Sequence, residues 1–491
     1  MSRAITKVAI FGGGVAAASA ALAVMRAYGR LGVEVVWVEQ PGAMCGHEAL
    51  IAPPDLMTFH RLLGIDEAAL ITRAGATINM GQQFAGWSGG DDAFLHAYGD
   101  AGTPFASLPF LQHWSRARRA GLGVALEDFS LAAAAAKQGR FGEPRGDAMR
   151  QVVKHGLHLD ATGYASLLRE TCVDAGIAII SGQDSEPIVR NGRVEGIVLP
   201  GGDRVDADFF IDAHGTLIDA LDAQGMLADA PPCDRLIRAS AAPLDPLPLF
   251  SRVMAHDAGW LTFIPLADRT AIEFAYASDR VRDEEAVALL PAIAGRPVLA
   301  QAASEQVYAR SRPRPWVANC VAIGSAAGDA PPLDAVALLL LQLSIAQLIL
   351  LWPLDAEDMP EADIYNEEIA GSQARVADFT AMHFRLARRR GPFWDAARAR
   401  PISDILARKI ALFEARGMIA HLNHEAHVDD SWMFCMTGHG LIPRSSDPQV
   451  DAMEDVALMT EFRRQLGAIA AEVRGMEMHR DALRRMATAK R

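Results

Sequence analysis

The chain is poor in the residues that hold a protein together by covalent or metal links. Only 5 of its 491 residues are cysteine, at Cys45, Cys172, Cys233, Cys320 and Cys435, with no C-x-x-C pair. An odd, scattered set excludes a disulfide framework and a cysteine-built zinc site, and it points to a reducing compartment. Positive charge is also in short supply: 47 Lys and Arg stand against 60 Asp and Glu, for a net charge of −13. That balance lacks the electrostatic footprint of a nucleic-acid binder. There is no G-x-S-x-G turn, no Walker loop, no internal repeat and no low-complexity linker. Long apolar runs are nearly absent. Residues 3–27, with Arg3 and Lys7 ahead of an apolar stretch, imitate a secretory signal, but Gly12-Gly13-Gly14 splits the stretch. Ala335 to Trp352 carries no charge and reaches the lower limit for a membrane span, yet it contains Gln342, Ser344 and Gln347. It reads as a helix buried in a large core. These absences predict a cytoplasmic protein with neither a membrane nor a nucleic-acid partner. The 51% apolar content and the length predict two or three packed domains.

The opening residues read strand, turn, helix, strand. Lys7 to Phe11 is a short β-rich run, Gly12 to Gly14 the turn, Val15 to Tyr28 an apolar helix, and Val33 to Val38 a second buried strand ending at Glu39. A βαβ unit of about thirty residues is the expected size for a dinucleotide site. Gly12-x-Gly14-x-x-Ala17 fits the fingerprint, with alanine in the third position, where only a small residue is needed. The first glycine permits the tight turn, the second lets backbone N–H groups approach a pyrophosphate, and the helix N-terminus favours negative charge. Glu39 is placed to accept hydrogen bonds from a ribose. Spacing alone does not separate FAD from NAD.

Further along, strands are expected around Ile78–Trp87, Ala178–Ile180, Pro187–Leu199, Phe209–Ile211, Trp260–Pro265, Ala271–Ala277 and Cys320–Ile323. A helical run falls at Leu131–Ala136 in an otherwise loop-rich stretch, and the chain after Asp355 is helical and charged. The expected organisation is a βαβ core at 1–90, a loop-rich insertion at 91–155, returning core strands at 156–225, a substrate-side sheet at 226–310, a second cofactor loop with the buried helix at 311–352, and a helical region at 353–491.

Several longer patterns accompany the glycine turn: Cys45-Gly46-His47-Glu48-Ala49, Phe59 to Glu67, Ala76-Thr77 with Phe84-Ala85-Gly86-Trp87, and Phe94 to Gly99. Later come His158-Leu159-Asp160 with Leu167-Leu168-Arg169, Asp212 to Gly215, Trp316, Asn319, Ile323 to Gly328, Tyr365-Asn366, Arg375, Asp378-Phe379 and Ser431-Trp432 with Gly438 and Pro443. In this order they resemble the flavin-dependent halogenases of the tryptophan halogenase family over nearly the whole chain.

The resemblance implies an α/β, FAD/NAD(P)-binding flavoprotein monooxygenase-like fold, with a mixed-sheet substrate region and a helical C-terminal part. It implies FAD, used as FADH2 with O2 and supplied by a separate flavin reductase, a halide as further reactant, and a small aromatic substrate. A homodimer would fit the family. Cofactor contacts are carried over to Gly12, Gly13, Gly14, Val15, Ala16, Ala17, Glu39, Glu48, Ala49, Ile188, Asp212, Gly215, Gly324, Ser325, Gly328 and Leu338. In the family, hypohalous acid reaches a lysine beside the substrate, and a nearby carboxylate assists the substitution.

The chain departs from that pattern at three places. The lysine position falls on Asn79, which donates a hydrogen bond but carries no cation and no nucleophilic amine. The W-x-W-x-I-P barrier strand reads Trp260-Leu261-Thr262-Phe263-Ile264-Pro265, with Thr262 for the second tryptophan. The P-L-E-S-T loop reads Pro332-Leu333-Asp334-Ala335-Val336, so the carboxylate is one methylene shorter and the hydroxyls beside the halide site are gone. Backbone N–H groups at Val336 and Ala337 remain as a halide site, and Asp334 reads alternatively as a plain N-cap of the long apolar helix. The leading reading is an FAD-dependent oxidoreductase with altered halogenating residues, Asn79 and Asp334 being the catalytic candidates. The alternatives are a conventional tryptophan or indole halogenase and a non-catalytic FAD-binding sensor or assembly protein. His421, His424 and His427 are spaced as metal ligands would be, but they read as a solvated surface, as Arg388 to Arg390 read as a solvated helix end, and no metal is expected.

Overall fold

Lys7–Gly12 and Glu34–Glu39 pair in parallel, in a register that sets Gly12 opposite Glu39. The computed structural model describes residues 3–41, 47–145, 151–221, 225, 227–229, 232–301 and 303–488. It resolves the chain into two compact units, each assembled from three separate stretches: Met1–Ala76, Leu159–Pro231 and Val307–Ala374 in the first, and Thr77–His158, Pro232–Gln306 and Arg375–Arg491 in the second. The expected segment 1–90 is therefore shared between the two units.

In the first unit, six strands line up in the order Trp316–Val317, Cys320–Ala322, Phe209–Asp212, Lys7–Gly12, Glu34–Glu39 and Ala178–Ser181. All but the first are parallel. Valine, isoleucine and phenylalanine fill the inner strands because these are buried on both faces, whereas the edge strand Ala178–Ser181 is partly exposed. The chain goes to one side of Lys7–Gly12 with its next strand and to the other side with Phe209–Asp212. The carboxyl end of the first strand is thus a topological switch point, where α/β sheets bind ligands. The cluster around Phe11, Val38, Phe210, Ile218 and Cys320 is the core beneath it. Pro187–Leu199 is a hairpin of Glu186–Arg190 and Arg193–Val198, continued by Arg204–Asp206.

The uncharged run folds as the helix Val336–Leu350, with Leu338, Leu341, Ile345 and Leu348 buried. Among the described residues no helix is long and apolar enough to cross a membrane.

The second unit is built on a larger sheet in the order Val298–Gln301, Arg235–Ala241, Thr270–Tyr276, Gly259–Pro265, Ser251–His256, Gly81–Ala85 and Ala93–Ala97, with Glu305–Gln306 also pairing Arg235–Ala241. Its pairs are antiparallel except for Ser251–His256 with Gly81–Ala85. One face packs Leu261, Phe263, Ile272 and Phe274 against Leu290 of the helix Asp283–Ala294.

The stretch Ile78–Trp87 is two strands rather than one. Thr77–Asn79 pairs with Gly156–His158, whereas Gly81–Ala85 belongs to the large sheet. Gly81 makes the change possible: its φ is +151°, and a Cβ there would lie 2.1 Å from the His96 carbonyl oxygen. The loop-rich insertion holds, besides Leu131–Lys137, the helix Phe110–Arg119, whose basic exposed face hides its apolar stripe of Leu111, Trp114 and Ala117. The C-terminal part is helical as expected, with Pro392–Ala399, Asp404–Arg416, Asp429–Gly438, Asp455–Gly475 and His479–Thr488.

Candidate functional site

In the first unit the strand register carries the expected cofactor residues to one edge. Gly12 stands opposite Glu39, Phe11 opposite Asp212, and Asp212 opposite Ala322, so the loops at Gly12–Gly14, Ala213–Gly215 and Gly324–Ser325 leave neighbouring strands at the same end. Gly12 has φ +141°, and a Cβ on it would lie 2.8 Å from the Ala213 Cβ and 2.9 Å from its carbonyl carbon. Any side chain there collides with the next loop. On the far side, a Cβ at Gly324 would lie 3.2 Å from that of Ala16. The helix Gly14–Tyr28 starts at Gly13 with no side-chain cap and no acidic residue in its first turn. Its first N–H groups, through Val15 and Ala16, are thus left for an anion, while Ala17 is fully buried against the sheet. A backbone cradle that excludes side chains, at a helix N-terminus left uncapped, fits the pyrophosphate of a dinucleotide.

Around the cradle, the predicted residues divide by what they touch. The Glu39 carboxylate is gripped by the Arg169 guanidinium through Nε at 2.9 Å and Nη2 at 3.0 Å. This bidentate contact fixes its direction and leaves acceptor sites for a ribose. Asp212 is fully buried, and its carboxylate accepts from the N–H groups of His214 at 2.9 Å, Gly215 at 2.7 Å and Ile218 at 2.9 Å. Burial pushes its carboxyl above the ordinary range, and these backbone donors oppose the shift. Asp212 thus shapes the Gly215 loop from within.

Asn319 and Asn366 likewise bond backbone, Asn319 to both groups of Val194 and Asn366 to both groups of Trp316. Ile188 sits half-buried at a β-bulge, Ser325 is exposed, and Gly328 pairs with Ser311. Ala49 is buried at the start of Ala49–Ala52, and the Glu48 carbonyl accepts the Ala161 N–H. Cys45 and Gly46 lie outside the described residues.

Asp334 does not cap the long helix, which corrects the N-cap reading. Asp334 and Ala335 both take left-handed backbone, φ +61° and +59°, and Ala335 is the capping position with no side-chain bond. Two consecutive non-glycine residues in that conformation are costly, and they persist only where the surroundings impose them. Asp334 is buried, Val336 and Leu338 are buried in the helix, and Ala337 is exposed.

In the second unit, Asn79 is completely buried at the end of Thr77–Asn79. Its Oδ1 accepts the Gly81 N–H at 3.0 Å, and among the described residues its Nδ2 has no partner. The strand is anchored on both sides. The Thr77 hydroxyl donates to the Pro265 carbonyl at 2.6 Å and contacts His158 Nδ1 at 3.1 Å, while the Ile78 N–H donates to His479 Nε2 at 3.1 Å. Burial lowers the His158 pKa to about 3 and that of His479 to about 4, so both imidazoles are neutral supports.

The barrier strand Gly259–Pro265 is buried throughout. Leu261 and Phe263 enter the core cluster on one face, which turns Trp260 and Thr262 to the other. Sequence reasoning named Arg375 and Asp378 but missed the buried Lys409 and Glu425 of this unit. Arg375 and Asp378 pair at 3.1 Å, Ser403 donates to Asp378 at 2.7 Å, and Lys409 pairs with Glu425 while lying 4.0 Å above the Trp432 ring. Arg375 and Asp378 stand three residues apart on one helix, whereas Glu425 reaches Lys409 from the loop ahead of Asp429–Gly438, a pairing that no local spacing announces. The His427 ring of the histidine-spaced segment stacks on Phe379 at 3.8 Å.

Three comparisons bear on this arrangement. The flavin-dependent halogenase BrvH from Brevundimonas sp. BAL3 superposes with a TM-score of 0.92 at 30% identity, covering 98% of this chain and 99% of that one. Xcc4156, a flavin-dependent halogenase from Xanthomonas campestris, gives a TM-score of 0.92 at 28% identity and 99% coverage of both chains. A 7-chloro-L-tryptophan 6-halogenase from Kutzneria sp. (strain 744) is 25% identical over 443 residues, 83% of this chain and 84% of its own. The family profile for tryptophan halogenase matches residues 7–455, and the chain belongs to the tryptophan halogenase family.

Proposed function

We propose that the chain is an FADH2- and O2-dependent oxidoreductase that acts on a small aromatic molecule without an amine at position 79. The observation that carries this reading is the contrast between a complete dinucleotide cradle and a buried amide where the family's lysine stands. FAD would be held by the N–H groups at Gly12 to Ala16, with Glu39 on its ribose and the Gly324–Ser325 loop beside it. When bound and reduced by a separate flavin reductase, it supplies two electrons for the activation of O2.

Asn79 can orient a partner through its Nδ2–H groups, but it cannot form the nitrogen–halogen bond of an amine. The buried Asp334 carboxylate is the group offered for taking a proton from the substrate. Val336 and Ala337 keep only backbone donors for an anion.

The test is turnover by FAD-loaded protein with a flavin reductase, NADH, O2 and bromide, offered indole, tryptophan and phenol, with products read by mass spectrometry. Oxygenated or brominated product that needs protein, reductase and O2 supports the reading. Oxygen consumption that ends only in hydrogen peroxide with every substrate overturns it in favour of a non-catalytic flavoprotein. An Asn79→Lys variant, checked for folding by its melting temperature, sharpens the result: bromination confined to the variant isolates position 79 as the altered step.

A further inference from the structure

The second unit contains a cavity of 540 Å³, within the size range of small-molecule sites. Its walls come from Gly81–Ala85, Ala93–Ala97, Phe110–Arg119 and Asp429–Gly438 with the chain beside them, from the turn Leu126–Phe129, and from Arg388 just after the helix Glu361–Leu386. The apolar lining is aromatic: Phe84, Trp87, Phe94, Trp114 and Phe434. Phe84 and Phe94 stack with centroids 5.2 Å apart and planes 10° apart, and Trp87 meets Phe84 edge-on at 5.4 Å. Such walls offer ring faces and edges to a flat aromatic guest. His439 also lines the cavity. One of its ring nitrogens bonds His383 at 2.9 Å, and among the described residues the other has no partner. Burial, aided by His383 and Arg388, holds His439 well below its ordinary pKa, so the imidazole is neutral.

Four ionisable side chains besides His439 line the same space, and their partners differ. Glu127 is already satisfied, since it accepts the Leu95 N–H at 2.6 Å and pairs with Lys137 at 2.5 Å. Asp92 is exposed at the rim. Arg118 donates to the Leu122 carbonyl at 2.5 Å, and among the described residues it has no carboxylate partner. The Arg388 guanidinium lies against Gly440, where a Cβ would be 2.8 Å from its Cζ; this residue is exposed at the rim, as Asp92 is, and it has no carboxylate partner among them either. Once Glu127 is matched by Lys137, the lining carries an excess positive charge. An uncharged arene would leave both guanidinium groups without a carboxylate, and an aliphatic anion would leave five aromatic walls empty.

We propose that this cavity binds a flat aromatic carboxylate, its ring held among Phe84, Trp87, Phe94, Trp114 and Phe434 and its carboxylate by Arg118 and Arg388. The inference goes beyond the oxidation proposed above, because it requires no flavin step.

Titration calorimetry on the full-length, FAD-loaded, oxidised protein tests it. The probes are indole-3-acetate, the uncharged indole-3-acetamide, and acetate. With no turnover involved, the result is independent of the oxidation assay. Indole-3-acetate is expected to bind about tenfold or more tightly than the amide, with no detectable binding of acetate. The double variant Arg118→Gln, Arg388→Gln is expected to reduce the acid to the affinity of the amide. Ala125→Trp, which fills the cavity from its lining, is expected to weaken both indole probes. Equal affinity of acid and amide for the native protein overturns the proposal, and so does acid binding that survives Ala125→Trp unchanged. These two readouts decide it even where the arginine variant fails to fold.

Discussion

The two units bind by different means. In the first, the candidate cofactor site is made of backbone: a glycine whose Cβ would strike Ala213, an uncapped helix, and two polar side chains locked by Arg169 or by their own loop. In the second, everything of chemical interest is side chain: a buried amide, neutral histidines, buried ion pairs and an aromatic cavity whose arginines lack a carboxylate partner among the described residues. Backbone sites tolerate little change, since a diphosphate always needs the same close approach. Side-chain sites can be rewritten one residue at a time on an unchanged sheet. On the function proposed above, the contrast is how a chain keeps the halogenase fold while Asn79, Thr262, Ala335 and Val336 stand in its side-chain positions.

That contrast can be broken or sharpened by experiment. The largest effect is expected from Gly81→Ala, whose Cβ would meet the His96 carbonyl at 2.1 Å in a left-handed conformation. The variant should lose about 4 kcal/mol of stability, read from the urea midpoint, while FAD bound per folded molecule is unchanged. Gly12→Val should do the reverse, lowering FAD affinity about a hundredfold in an absorbance titration, because strain and collision fall on the cradle itself. Retention of full affinity would mean that the cofactor does not use this loop.

His60 in the first unit offers an intermediate effect. Burial lowers its pKa from 6.5 to about 4, and its Nε2 contacts the Tyr164 hydroxyl at 2.7 Å. Because the folded value lies below the unfolded one, its contribution is fully present above pH 6.5 and is lost as the pH falls towards 4. Stability should drop by about 2 kcal/mol between pH 7 and pH 5 from this residue, and His60→Gln should flatten that part of the profile. The smallest effect is expected at Asn79→Ala. It strands the Gly81 N–H but removes a buried Nδ2 unpartnered among the described residues, so the two costs nearly cancel, to within about 1 kcal/mol. A loss of several kcal/mol in thermal unfolding would reveal that the amide is better satisfied than this account holds.

Legibility followed the same division. The βαβ opening, the Glu39 strand end and the long apolar helix were readable because period, glycine spacing and length are local properties, and each element appears where the pattern put it. The strand at Ile78–Trp87 was readable as extended but not as two strands in different sheets, since that depends on which partners arrive on each side of Gly81. Asp334 looked like a cap because acidic residues before helices usually are. Its left-handed backbone, shared with Ala335, is a tertiary imposition with no local signature. Asp212 was readable as important, but the buried carboxylate is occupied by its own loop's N–H groups, a pattern set by the turn after the strand. Lys409, Glu425 and Arg118 carried no signal, and Arg388 read only as part of a solvated helix end, because each acquires its meaning from another element of the fold.

By itself, then, the sequence determined the family, the βαβ opening with its glycine turn, and the asparagine at position 79, for these are matters of residue identity at fixed local spacing. The tertiary structure alone decided how three distant stretches share each core, which carboxylates are already bonded, and where an aromatic cavity meets two arginines that lack a carboxylate partner among the described residues. Burial and hydrogen bonding there depend on neighbours that the chain supplies from hundreds of residues away.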